Sequence, residues 1–243
     1  MSKIKQKNTF DHNYSQNFYL KKRTAKDVKF IILHYTGMKN EFKAIKKLTS
    51  KKSNVSCNYF IRSNGKIIQI VPDEYASWHA GVSRWKNVRY LNRSSIGIEI
   101  QNPGHENKYI KFSKQQINSL LKLLKFLIKK YKIKKNFILG HSDVAPDRKK
   151  DPGEKFPWKI LSKNKLSIWH KLHTSYLIQN RRKKLNTNKN KIFNNFLKKI
   201  GYRGYKQKNL ILSFQRRFRT ELINGISDEE CFIIAKNLIK LGI

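Results

Sequence analysis

Apolar positions along the chain fall into short runs whose spacing changes from one run to the next. VKFIILHYT is nearly continuous in apolar residues until it ends in polar ones. That is the pattern of a buried strand whose C-terminal end carries His34 to a surface. Residues 40–50 move to a helical spacing, with Phe42, Ala44, Ile45 and Leu48 on one side. NYFIRSNGKIIQIV holds two β-rich runs around Ser63, Asn64 and Gly65, which predicts a hairpin with Asn-Gly supplying the positive φ values of a primed turn. In SSIGIEIQN the alternation sets Ile96, Ile98 and Ile100 on one face and Gly97, Glu99 and Gln101 on the other.

From Ser113 the period becomes helical. Ser113 and Gln116 form a capping box, and Ile117, Leu120, Leu121, Leu124, Leu127, Ile128 and Tyr131 make one apolar stripe opposed by lysines. KNFILG is then a brief strand. This alternation predicts an α/β fold, a mixed central β-sheet flanked by helices, over residues 27–162 after an N-terminal extension at 1–26. Residues 163–191 read as a basic connecting segment, because their second half is rich in charge and Asn. IFNNFLKKIGY, NLILSFQRRF and SDEECFIIAKNLIKLGI predict a small three-helix domain at 192–243, its last helix capped by Ser227 or Asp228. No internal repeat is visible.

The 243 residues carry 54 Lys+Arg against 15 Asp+Glu, a net charge of +39. Such a surface favours polyanions, and it is also what a lysine- and asparagine-rich composition yields without selection for a ligand. Cys57 and Cys231 stand far apart, which indicates neither a disulfide framework nor a thiolate zinc site. The N-terminal stretch has no apolar core of a signal peptide, and no run reaches the roughly 18 apolar residues of a membrane span. The expectation is a soluble, cytoplasmic chain.

Chemistry concentrates in GHSDVAPDRKKDPG, residues 140–153. His34, His141 and Asp151 together are a ligand set for catalytic Zn²⁺, with a fourth position left for water. Pro146, Pro152 and Gly153 suit a loop held in one irregular shape. A strand-end histidine and an Asp before Pro also serve as a packed residue and a turn former, so the residues alone leave both readings open. Glu99 lies between isoleucines, where a carboxylate needs a partner or a polar cleft; a general base has the same requirement. Lys149, two residues before Asp151, is placed to stabilise an oxyanion, or is one more solvated lysine. SWHAGVSRW, residues 77–85, groups aromatic faces and polar tips that suit a sugar or peptide, although Trp78 and His79 also fit a core.

Taken together, FIILHYTG, the hairpin, SWHAGVSRW, LNRSSIGIEIQNPG and ILGHSDVAPDRKKDPGEKFPW resemble the zinc-dependent N-acetylmuramoyl-L-alanine amidases of the AmpD/AmiD type, relatives of peptidoglycan recognition proteins and phage amidases. The resemblance spans roughly residues 27–160. It implies one Zn²⁺ per chain on His34, His141 and Asp151, with Glu99 and Lys149 as catalytic residues. It implies substrate contacts at Tyr35, Asn58, Trp78, His79, Ala80 and Gly81, and a peptidoglycan or muropeptide substrate cleaved between N-acetylmuramic acid and L-alanine. Asn58 departs from the histidine that many such proteins carry in the hairpin strand. Asp143 and Asp147 are left to hold the loop's shape.

FLKKIGY, LILSFQRRFR and NGISDEE resemble a small peptidoglycan-binding module, with Gly225 and Asp228 turning into the last helix. A wall-binding module favours the periplasm or cell wall as the alternative location. Two other functions remain as alternatives: a non-catalytic peptidoglycan-recognition protein, which would be expected to lose a ligand, and a basic nucleic-acid-binding protein, for which no motif is present. Nucleic acid is therefore not an expected partner, and a monomer is favoured.

Overall fold

The computed structural model describes residues 11–243; the start of the extension expected at 1–26 lies outside the described residues. The strands are β1 (Asp11–His12), β2 (Phe18–Tyr19), β3 (Phe30–Tyr35), β4 (Tyr59–Ile61), β5 (Ile67–Gln69), β6 (Ala76–Ser77), β7 (Arg84–Trp85), β8 (Val88–Arg89), β9 (Ser95–Ile100) and β10 (Ile138–Gly140). The helices are α1 (Glu41–Thr49), α2 (Lys114–Tyr131), α3 (His141–Val144), α4 (Trp158–Lys163), α5 (Thr174–Asn180), α6 (Thr187–Ile200), α7 (Gln207–Phe218) and α8 (Glu229–Lys240).

Six strands form one mixed sheet in the order β1-β5-β4-β9-β3-β10. The hairpin pair β4–β5 is antiparallel and the other neighbours are parallel. Alternation decides what each face carries. Ile31, Leu33, Tyr59, Ile61, Ile96, Ile98 and Ile100 point to one side, where Ile117, Leu120, Leu123, Leu124 and Leu127 of α2 cover them. Ser113 and Gln116 exchange side-chain and backbone hydrogen bonds at the start of that helix, the capping box expected.

The opposite face is shared. Near β4 and β5, Ala44, Ile45 and Leu48 of α1 bury Phe60 and Ile68. Near β3 and β10, Phe30, Ile32, Leu139 and Val144 merge with Phe193, Leu197, Phe214, Phe218, Ile234 and Leu238 from α6–α8 into one buried cluster. The three C-terminal helices therefore have no core separate from the sheet.

Phe42 departs from expectation: it is 71% exposed, with the Arg62 guanidinium over its ring. It sits two positions before Ala44, about 200° round the helix from it, so it cannot share that buried face. The hairpin turn also differs. Gly65 has φ +85° while Asn64 does not enter the left-handed region. Gly65 N donates to Arg62 O, and Arg62 N to Lys66 O, so the turn is a longer loop closed by a left-handed glycine. A Cβ on Gly65 would lie 2.7 Å from the Gln115 carbonyl, because the turn docks on the start of α2.

The described part of the extension belongs to the fold, with β1 pairing β5 and β2 pairing β6. Arg23 donates to the carbonyls of Asp73, Asn92, Arg93 and Ser95 at 2.6–3.2 Å. Arg23→Met is expected to lower stability by about 1.5–3 kcal/mol, the range for hydrogen bonds to a charged group, as read by urea denaturation. Within the basic stretch 163–191, α5 is followed by Lys183 and Lys184, whose backbones bond to Glu229 and Asp228. Asp228 also caps α8 by accepting from Cys231 N. Among the described residues no helix is long and apolar enough to cross a membrane.

Candidate active site

Three segments meet at the C-terminal ends of β3, β9 and β10. His34 comes from β3, His141 begins α3 directly after β10, and Asp151 lies on the loop beyond. In the parallel ladder His34 lies opposite Glu99 of β9, so both side chains leave the same face. Asp151 Oδ2 is 3.0 Å from Nδ1 of His34 and 3.0 Å from Nδ1 of His141, and the two nitrogens are 3.0 Å apart. All three residues are buried.

The surrounding hydrogen bonds say where the imidazole protons are. Ser95 Oγ gives its one proton to Leu91 O and so must accept from His79 Nε2. Neutral His79 then has a bare Nδ1, which accepts from His34 Nε2 at 3.0 Å. This leaves His34 Nδ1 bare. Across the site, His141 Nε2 faces Ala80 O at 3.1 Å and must donate to it, which leaves His141 Nδ1 bare in the neutral ring. Burial, and then His141, lower His34 to about 4, and burial drives His79 well below its ordinary value, so both are neutral at pH 7.

Two nitrogen lone pairs and a carboxylate oxygen thus converge with no proton among them. Their mutual repulsion is relieved by a cation. A tetrahedral Zn²⁺ with bonds of about 2.0–2.1 Å holds its ligands roughly 3.3 Å apart, close to the spacing of this triad. The residues fit the metal, with the second nitrogen of each imidazole hydrogen-bonded as ligating histidines require.

Beside the triad, burial and the Asp151 charge raise Glu99 to about 8. Its Oε2 has no hydrogen-bond partner among the described residues. The cleft over this centre has a volume of about 340 Å³ and is lined by Glu99, Lys149, Tyr35, Trp78, His79, Lys47 and Glu106 as well as the triad. The charge of Lys149 acts on both His34 and Glu99.

Residues 24–154 match the family described as Amidase_2: N-acetylmuramoyl-L-alanine amidase. The chain belongs to this family. The amidase is 33% identical over 233 residues to N-acetylmuramoyl-L-alanine amidase AmiD of Escherichia coli, covering 88% of this chain and 83% of AmiD. It is 40% identical over 105 residues to 1,6-anhydro-N-acetylmuramyl-L-alanine amidase AmpD of E. coli, covering 43% of this chain and 55% of AmpD. Its fold matches E. coli AmiD in complex with anhydro-N-acetylmuramic acid-L-Ala-D-γ-Glu-L-Lys, with TM-score 0.78 and 31% identity, over 88% of this chain and 90% of that one. It also matches AmpDh3 of Pseudomonas aeruginosa in complex with anhydromuramic pentapeptide, with TM-score 0.78 and 29% identity, over 92% and 97%. This amidase hydrolyses the N-acetylmuramic acid–L-alanine bond of peptidoglycan or muropeptides, activity EC 3.5.1.28.

Not every expected contact of the amidase reaches the cleft. Asn58 is fully buried, donating to the carbonyls of Val71 and Tyr75 and accepting from Ser77 Oγ and Gly97 N, so it braces the strands and does not face substrate. Ala80 is buried too, its carbonyl occupied by His141 and Arg148, and Gly81 lies against the Arg148 guanidinium without lining the cleft itself. Arg148 donates to Ala80 O and Val82 O, so it holds that loop segment and is not free to steer an anion. Sequence reading did not find Ser95, whose hydroxyl starts the proton chain; a serine opening a strand gives no signal by itself.

Gly97 makes room for that chain. A Cβ there would stand 2.4 Å from the His79 ring. Gly97→Ala is expected to cost about 1–3 kcal/mol of stability through overpacking and to weaken metal binding as His79 leaves His34; denaturation and metal titration check both.

Proposed function

We propose that this amidase works with one Zn²⁺ held by His34 Nδ1, His141 Nδ1 and Asp151 Oδ2, with Glu99 as proton carrier and Lys149 as oxyanion partner. The observation that carries the reading is the convergence of two bare imidazole nitrogens on one carboxylate oxygen. When bound, zinc supplies Lewis-acid polarisation of the scissile carbonyl and acidifies a water.

The chain's own groups do the rest. Glu99, raised to about 8 and with one oxygen unpartnered, takes the proton of the attacking water and returns one to the departing L-alanine nitrogen. Lys149, also a lining residue of the cleft, stabilises charge gathering on the carbonyl oxygen with its ammonium. His79 holds His34 in its tautomer, and Trp78 lines the cleft that receives the sugar or peptide.

The substrate class is a stem peptide on N-acetylmuramic acid, with the 1,6-anhydro form accepted. This is supported by the extent of the match to AmiD and AmpDh3, whose solved complexes contain anhydro-muropeptides. Metal analysis of the purified chain together with stem-peptide release from anhydro- and non-anhydro-muropeptides tests the proposal. One zinc per chain, loss of turnover on chelation and recovery on zinc addition are expected. Full turnover after exhaustive chelation would sink it.

A further inference from the structure

We propose that the C-terminal helices form part of the scaffold of the metal centre, with Arg217 and Tyr202 acting through Asp143 as positioning residues for His141 and Asp151. The inference rests on the zinc reading above.

Both ligands lie on one short segment, and its ends are tied together: Ser142 N donates to the Asp151 carbonyl at 2.8 Å. On the side away from the cleft this segment is gripped by α7 and the turn before it. Asp143, 1% exposed, accepts Arg217 Nη1 at 2.5 Å and Gly140 N at 2.8 Å on Oδ2, and Tyr202 Oη at 2.8 Å on Oδ1. Arg217, 2% exposed, also donates to Ile138 O at 3.0 Å and lies over the Trp158 ring. Ser213 Oγ donates to the Ser142 carbonyl. Asp147 accepts from Tyr205 N, Lys206 N and Asn209 Nδ2. The backbone that presents His141 is thereby held at Asp143, Ser142 and Asp147, each time by a residue from the C-terminal part of the chain.

The buried Arg217–Asp143 pair gives little net stability, since desolvation offsets its attraction. Its directional bonds define where Asp143 and the start of α3 stand, and a ligand's outer partners tune metal affinity by about 10–100-fold. Arg219 supplies a matched comparison. It is fully buried and paired with Asp228 and Glu230, all within the C-terminal part and away from the ligand segment.

The test uses the full chain and zinc alone, with competition against a chromophoric chelator at temperatures where each variant is folded by circular dichroism. Arg217→Met and Tyr202→Phe are expected to weaken zinc binding about 10-fold or more. Arg219→Met is expected to lower the melting temperature and leave zinc affinity at the parent value. If Arg217→Met does not fold, Tyr202→Phe, which removes one hydroxyl, carries the test. Parent-like affinity in the variant that folds overturns the proposal, and so does equal weakening by Arg219→Met. A parent chain that takes up no zinc overturns the metal reading itself, a result distinct from the other two.

Discussion

Asp151→Asn is expected to leave the folded protein without zinc and without turnover. The amide keeps the shape of the carboxylate but not its charge, and two neutral imidazoles alone do not balance a divalent ion whose neighbourhood already includes Lys149, Lys150 and Lys47. The loss of affinity should exceed the roughly 10–100-fold that an outer partner costs. Metal content after dialysis and stem-peptide release read the two effects. A variant retaining stoichiometric zinc would show that Asp151 is a hydrogen-bond partner and not a ligand.

Glu99→Gln separates proton transfer from metal binding. Turnover should fall by about 10²–10⁴-fold while zinc content stays that of the parent. The same substitution has an opposite effect on stability. Glu99 is raised from 4.5 to about 8 in the fold. Between those values the folded chain binds more protons than the unfolded one, so ionising Glu99 removes stability as pH rises from 4.5 towards 8. The zinc-free variant should therefore melt above the zinc-free parent at pH 8 and together with it at pH 4, by calorimetry. Equal melting at both pH values would mean that the carboxylate is well solvated.

How much of this was readable in advance differs from one residue to the next. The apolar run ending at His34 and the alternation through Glu99 were legible because strand periodicity is local, whereas the β3–β9 register that sets the two side chains on one face is not. The α2 capping box was legible for the same reason. The pairing of His34 with His141 and Asp151 spans separations of 107 and 117 residues, so no local pattern contains it, and the family resemblance decided between the readings the residues left open. Asn58 was misplaced because a polar residue in a strand reads alike whether it meets substrate or bonds neighbouring backbone. Phe42 was misread against the helix period itself, which sets it about 200° from Ala44, and the Gly65 turn was misread because docking on α2 overrode the short-range signal. Asp143 bonds its own loop at Gly140 N as expected, whereas Asp147 bonds Tyr205, Lys206 and Asn209, and Tyr202, Arg217 and Tyr205, which answer the two carboxylates, lie 58–74 residues away.

The two ends of the six-stranded sheet are defended unequally. At one end the described residues of β1, Asp11 and His12, are exposed, with Asp11 paired to Lys66, a charged border that offers little template to another chain. At the other, Ile138, Leu139 and Gly140 of β10 are wholly buried, and Arg217 occupies the Ile138 carbonyl. A chain ending before α7 would uncover an apolar strand edge with a vacant acceptor, the usual seed of edge-to-edge association. Truncated forms should thus fail first by aggregating, whatever catalytic residues they retain.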